Sequence, residues 1–250
     1  GNALVTLDLP VNGQEGTLVA EEGLAGDRDG DLGVGNESAG SNEAENSETT
    51  ASTFFYTAPD GPAAITIGGV AVATVGQTFA GSSGTLTITS MDSGEIGYSY
   101  TLADNTAGDA STESFEVVVT DDDGDFQSGD LVIDINDDVA TARADTDSLV
   151  DNDTSVTGNV MTGVSEAGTG AADTQGADGA VISGFTSVNN AQAGAGVVGG
   201  AALVGEFGTL TLTAAGTYVY TQTAGAEATG TDVFEYTLTD GDGDTSTATL

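Results

Sequence analysis

The stretches FEVVVTDDDGDFQSGDLVIDIND (115–137) and FEYTLTDGDGDTSTATL (234–250) share one plan. Each opens on Phe-Glu, continues as alternating residues and breaks into a knot of aspartates spaced two apart. Successive side chains of an extended chain point to opposite faces, so Phe115, Val117 and Val119 share a face, as do Phe234, Tyr236 and Leu238. The pattern predicts a strand feeding a tight acidic turn, written twice.

The likeness extends upstream. GYSYTLA (97–103) parallels GTYVYTQTA (216–224), and SGTLTIT (83–89) parallels FGTLTLT (207–213). A period of about 120 residues is too long for a solenoid repeat and suits a whole domain. Short strand signals recur between Gly, Asn, Asp and Ser, and no useful helical period appears, so the chain is expected to be all-β, as tandem immunoglobulin-like antiparallel β-sandwiches. NALVTLDLP (2–10) matches GDLVIDIND (129–137), the last strand before the junction. The expected boundaries are therefore 1–12 as the closing strand of a preceding repeat, 13–137 as one sandwich, and 138–250 as a second with its last strand incomplete. An incomplete sheet leaves an edge open to pairing with other copies.

Composition narrows the chemistry. The 250 residues carry 40 Asp+Glu against 2 Lys+Arg, a formal charge of −38, with no His and no Cys. The cations are Arg28 and Arg143. Nucleic acid and anionic membrane are not expected as partners, because phosphate binding needs clustered cations. Disulfides and every His-, Cys- or Lys-dependent nucleophile are excluded as well. A carboxylate pair of the glycosidase type would have to come from Glu113, Glu116, Glu227 and Glu235, of which Glu116 and Glu235 sit on strands as ordinary solvent-facing residues. The chain is not expected to be an enzyme.

The acids are not scattered. Asp121-Asp122-Asp123-Gly124-Asp125 and Asp240-Gly241-Asp242-Gly243-Asp244 both read D-x-D-G-D, and Asp27-Arg28-Asp29-Gly30-Asp31 is a third copy. Glycine lets the backbone bend until carboxylates at alternate positions converge. Converging oxygens suit a hard divalent ion, Ca²⁺ above all. The expected ligands are Asp121, Asp123 and Asp125, Asp240, Asp242 and Asp244, and Asp27, Asp29 and Asp31. These are not EF-hands, since the glycine is fourth and Val132 or Ser38 stands where a bidentate Glu would be required. Further oxygens are expected from DINDD between the units, namely Asp134, Asn136, Asp137 and Asp138. With an odd strand count per unit, the 240–244 knot would face that linker, and the 121–125 knot would lie beside Asp8–Asn12. Asp145, Asp147, Asp151 and Asp153 could add oxygens or form a separate site.

DINDD resembles the D-x-N-D-N linker of cadherins, with Asp138 where that motif has Asn. Phe234–Leu250 resembles, almost throughout, the extender repeats of bacterial RTX adhesins exported by type I secretion; Phe115–Leu131 follows more loosely. VTGNVMTG (156–163) and GADGAVISG (176–184) are also similar to those repeats. The resemblance implies calcium-rigidified Ig-like repeats at the bacterial cell surface, spacing an adhesive domain away from the cell, with neighbouring repeats as partners. Two other functions are compatible with the sequence: a filament subunit joined by strand complementation, and a glycan-binding module.

Overall fold

The computed structural model describes residues 3–26, 38–61, 63–225 and 230–250. The chain divides into two compact units, Gly1–Asp138 and Val139–Leu250. Both are β-sandwiches, and among the described residues the only helical turns are two short 3-10 segments, Glu21–Gly23 and Ala191–Ala193. Among the described residues no helix is long and apolar enough to cross a membrane.

Unit one contains β1 (Thr6–Asp8), β2 (Leu18–Ala20), β3 (Thr49–Thr57), β4 (Ala64–Ile67), β5 (Val70–Ala71), β6 (Thr78–Ala80), β7 (Gly84–Asp92), β8 (Glu95–Leu102), β9 (Ala110–Thr120) and β10 (Phe126–Asn136). One sheet has the order β1-β3-β8-β7-β6 and the other β2-β10-β9-β4-β5. All pairings are antiparallel except that of β2 with β10. The period-two pattern places the core: Phe115, Val117 and Val119 of β9 and Leu131, Ile133 and Ile135 of β10 are buried, against Leu86 and Ile88 of β7 and Tyr98 and Tyr100 of β8.

Unit two repeats this wiring with fewer strands: β11 (Ser155–Asn159), β12 (Ala180–Ser187), β13 (Leu203–Val204), β14 (Gly208–Leu212), β15 (Thr217–Gln222), β16 (Phe234–Asp240) and β17 (Thr245–Thr249). The order β11-β15-β14-β13 matches β3-β8-β7-β6, and β12-β16-β17 matches β4-β9-β10 read in reverse. One aromatic pair ties the sheets together at the same place in each unit. Tyr100 meets Phe115 edge-on with centroids 6.1 Å apart, and Tyr220 meets Phe234 in the same way at 6.4 Å.

Residues 3–12 pack within unit one. Within this segment β1 pairs with β3 through Thr6–Thr57 and Asp8–Phe55 and is an edge strand of that sheet. The reason is packing. A Cβ on Gly129 of β10 would lie 3.0 Å from the Leu9 Cδ1 and 3.7 Å from the Leu7 Cδ2, so the glycine leaves room for both leucines. Val5 is buried on the same unit.

Candidate metal centres

Both described knots are hairpin turns closed by their own first aspartate. In unit one the Asp121 amide donates to the Asp125 carbonyl at 3.0 Å, and the Asp121 Oδ1 accepts the amides of Gly124 (3.1 Å) and Asp125 (2.9 Å). In unit two the Asp240 amide donates to the Asp244 carbonyl at 3.1 Å, and the Asp240 Oδ1 accepts the Gly243 amide at 3.2 Å. Gly124 and Gly243 have φ of 96° and 110°, a backbone that L side chains rarely adopt. The D-x-D-G-D spacing is thus read correctly as a turn whose glycine is a conformational requirement.

Each knot is completed by a third carboxylate from a distant loop. β4 pairs with β9 through Ala64–Thr120, and β12 pairs with β16 through Ala180–Asp240. The loop entering β4 or β12 therefore ends against the knot, and it carries Asp60-Gly61 in one unit and Asp178-Gly179 in the other. Asp60, Asp121 and Asp123 each place a carboxylate oxygen within 4.8 Å of the others, and Asp178, Asp240 and Asp242 do the same. A Cβ on Gly61 would sit 2.7 Å from the Asp122 Cβ, so the close approach of loop and knot needs glycine there. Asp60 and Asp178 were absent from the sequence expectation. Their signal was the repeated Asp-Gly ahead of a strand, which is also an ordinary turn former.

The surroundings of the two trios are electrostatically costly. Asp121 is 6% exposed, and its Oδ2 is sealed from solvent with no hydrogen-bond partner. Buried polar atoms are normally satisfied, so an orphaned carboxylate oxygen beside two further carboxylates is the donor arrangement that a cation would satisfy. Asp125 also has an unpartnered, sealed Oδ2. The Asp121 carboxylate beside Asp123 raises the Asp123 pKa. In unit two Asp178 and Asp240 are both buried, and burial, followed by the charge of Asp240, pushes the Asp178 pKa up to about 6. The Asp178 Oδ2 accepts the Asp242 amide at 2.8 Å, and the Asp240 Oδ2 accepts the Ala140 amide at 3.0 Å. Every donor is a hard oxygen, which suits calcium by charge and softness.

Other expected ligands have different surroundings. Asp134 lies within β10, where its Oδ1 accepts the Asn12 side-chain amide at 3.4 Å. Asp138 is buried and holds Ser41, accepting its amide at 2.6 Å and its hydroxyl at 2.5 Å. Asn136 is exposed at the end of β10, while Asp137 and Asp244 are half-buried. Asp27, Asp29 and Asp31 lie outside the described residues. Asp8–Asn12 does not adjoin the 121–125 knot. Ala3 does, its amide donating to the Asp60 Oδ2 at 2.8 Å, while Asn12 has run to the Asp134 end of the unit. β1 travels away from the knot because it is antiparallel to β3.

The glutamates considered for catalysis are arranged as follows. Glu113 is buried and Glu116 exposed, on opposite faces of β9; Glu235 is exposed on β16, and Glu227 lies outside the described residues. Unit two also has a cleft of about 330 Å³ lined by Asp147, Phe207, Tyr218, Tyr220 and Asp232 among others. Its two tyrosine hydroxyls are already committed, Tyr218 donating to Asp147 at 2.5 Å and Tyr220 to Asp232 at 2.8 Å. The cleft therefore presents acceptors and negative charge.

No protein-family model matches the chain, and no curated protein matches it. Among solved structures, the chain is similar to the Bacteroides ovatus mixed-linkage glucan utilization locus SGBP-B, in complex with a mixed-linkage heptasaccharide, at 13% identity and a TM-score of 0.24. It is also similar to the protocadherin GammaB4 extracellular domain, at 10% identity and a TM-score of 0.30. All of this chain is covered in the first match and 99% in the second, but the chain spans only 47% and 33% of those two proteins. At such scores neither match bears on the function.

Proposed function

We propose that the chain is a calcium-loaded pair of structural spacer repeats from an extracellular bacterial adhesin. One observation carries this: the same carboxylate trio is built at topologically equivalent positions of two sandwiches, as Asp60, Asp121 and Asp123 and again as Asp178, Asp240 and Asp242. A solvated acidic turn does not need a partner carboxylate brought in by strand pairing. A cation does, because it gains from every converging oxygen and cancels their repulsion.

The likeness of Phe234–Leu250 to adhesin extender repeats supports the spacer role, as does the absence of any His, Cys or Lys for catalysis. Extracellular modules hold Ca²⁺ with dissociation constants of about 10⁻⁴–10⁻³ M. Such sites are empty at cytosolic calcium and fill after export, so each repeat would gain its full stability only outside the cell. In this proposal the adhesive domain and its target belong to other parts of a longer protein, and export is by type I secretion.

The test is calcium titration of the chelator-treated chain by calorimetry, repeated on Asp60→Asn/Asp121→Asn and on Asp178→Asn/Asp240→Asn. Each double substitution is expected to remove at least one bound Ca²⁺ per chain. Wild-type protein that binds no calcium at millimolar concentration overturns the proposal.

A further inference from the structure

Unit two contains a second buried carboxylate pair, away from its knot. Residues 140–146 run beside β17, with the Asp145 amide donating to the Thr249 carbonyl at 2.8 Å. On the other side lies 169–174: Thr141 and Thr174 exchange backbone hydrogen bonds of 2.8 and 2.9 Å, and the Thr146 amide donates to the Thr169 carbonyl at 2.8 Å. This arrangement encloses Asp145, 4% exposed, and Asp173, 9% exposed.

The proton count there is short. The Asp145 Oδ1 accepts the Ala171 amide at 3.1 Å, while its Oδ2 is sealed from solvent and has no hydrogen-bond partner. The Asp173 Oδ1 accepts the Arg143 amide at 2.7 Å. The Tyr236 hydroxyl, from β16, lies 2.7 Å from the Arg143 carbonyl oxygen and 3.0 and 3.2 Å from the two Asp173 oxygens. One hydroxyl hydrogen thus faces three acceptors, with the orphaned Asp145 oxygen as a fourth close by. Burial dominates the environment of Asp173, and the charge of the exposed Arg143 is the weakest of the influences on it. Two buried carboxylates so poorly supplied with donors are costly unless a cation joins them.

We infer that Asp145 and Asp173, with the Arg143 carbonyl oxygen, form a separate cation site of unit two that takes one hard divalent ion of the Ca²⁺ type. The donors are all oxygens and the two carboxylates match a double positive charge. Gly170 packs closely here: a Cβ on it would run into the Gly163 carbonyl oxygen and lie 2.7 Å from the Asp145 Oδ1. In unit one Val117 takes the place of Tyr236, two residues after the equivalent phenylalanine, so that sandwich supplies no hydroxyl at this point. The site shares no residue with the knot trios; either can fail while the other stands.

The experiment uses the whole chain, Ca²⁺ by calorimetry and Tb³⁺ by luminescence excited through tyrosine, the chain having no tryptophan. Asp145→Asn/Asp173→Asn is expected to lower bound Ca²⁺ by one per chain while leaving the knot sites filled. Tyr236→Phe is expected to remove the terbium emission of one site without lowering the calcium count. An unchanged calcium count in a folded Asp145→Asn/Asp173→Asn chain overturns the inference. So does a carboxyl NMR titration showing Asp145 still protonated near neutral pH in saturating Ca²⁺, because a proton then holds the pair. Should the double variant not fold, undiminished sensitised emission in Tyr236→Phe overturns it equally.

Discussion

The Tyr100 hydroxyl donates to the Glu113 Oε2 at 2.7 Å across the core of unit one. The other oxygen of Glu113 accepts the hydroxyl of Ser82 at 2.8 Å, the amide of Ser83 at 3.1 Å and the amide of Ser82. Unit two repeats the device with a shorter acid. Tyr220 donates to the Asp232 Oδ2 at 2.8 Å, and Asp232 accepts the amides of Glu206, Phe207 and Gly208 at 2.6, 3.1 and 2.9 Å. One carboxylate in each sandwich thus ties a tyrosine to the turn before β7 or β14. Burial, reinforced by the neighbouring carboxylate, raises the pKa of both tyrosines well above the usual phenol value, so each remains a donor.

Removing these acids should cost more than removing their tyrosine hydroxyls. Glu113→Ala strands the Tyr100 hydroxyl and two turn amides, and should destabilise unit one by about 3 kcal/mol. Tyr100→Phe leaves the carboxylate its serine donors and should cost about 1 kcal/mol. Urea unfolding followed by tyrosine fluorescence measures both, and equal costs would show that the acid is not the centre of the network.

Calcium should stabilise the chain by mass action. A tenfold excess over the dissociation constant contributes about 1.4 kcal/mol per site. The melting temperature is therefore expected to rise with Ca²⁺ and fall in chelator, and Asp121→Asn should lose part of this response. A melting curve indifferent to chelator would count against any calcium bound to the folded state.

The metal-free chain should respond to pH in the direction set by its raised carboxyls. Burial, then the charges around them, pushes Asp178 and Asp145 up to about 6. A folded-state pKa above the unfolded one means that the folded chain binds more protons between about pH 4 and 6, so these groups lower stability as pH rises through that window. Asp147 acts oppositely: it is only half-buried, and the Tyr218 hydroxyl and three amides hold its pKa down, so its contribution is lost only as pH falls below the ordinary carboxylate range. Chelated protein should thus melt higher at pH 5 than at pH 7. The calcium-induced increment should run the other way, larger at pH 7, because calcium competes with those protons. Melting series at both pH values, with and without Ca²⁺, check the two signs.

Gly129→Val tests whether residues 1–12 belong to unit one. The added side chain would displace Leu9 and Leu7, costing about 1–3 kcal/mol by overpacking and loosening β1. Limited proteolysis should then cut within residues 3–12 sooner than in wild type. An unaffected cleavage pattern would mean that these leucines do not anchor the segment.

Much of the architecture was legible in the residues themselves. The alternation in Phe115–Val119 and Phe234–Leu238 specifies strands with one buried face, because a pleated chain presents every second side chain to the core. The spacing of Asp121, Asp123 and Asp125 around Gly124 specifies a turn for the same local reason: the signal and the structure lie within a few residues. The extra carboxylates were not legible, since Asp60 and Asp178 reach their knots only through the pairing of β4 with β9 and β12 with β16.

Sequence alone therefore determined the doubled β-sandwich and the acidic turns, which follow from local spacing and side-chain alternation. Tertiary structure alone decided which acids meet. Asp138 is engaged by Ser41, Asp145 is enclosed opposite Asp173, and Asp60 is delivered to Asp121, each by contacts between segments so far apart in the chain that a carboxylate carries no mark of its eventual neighbour.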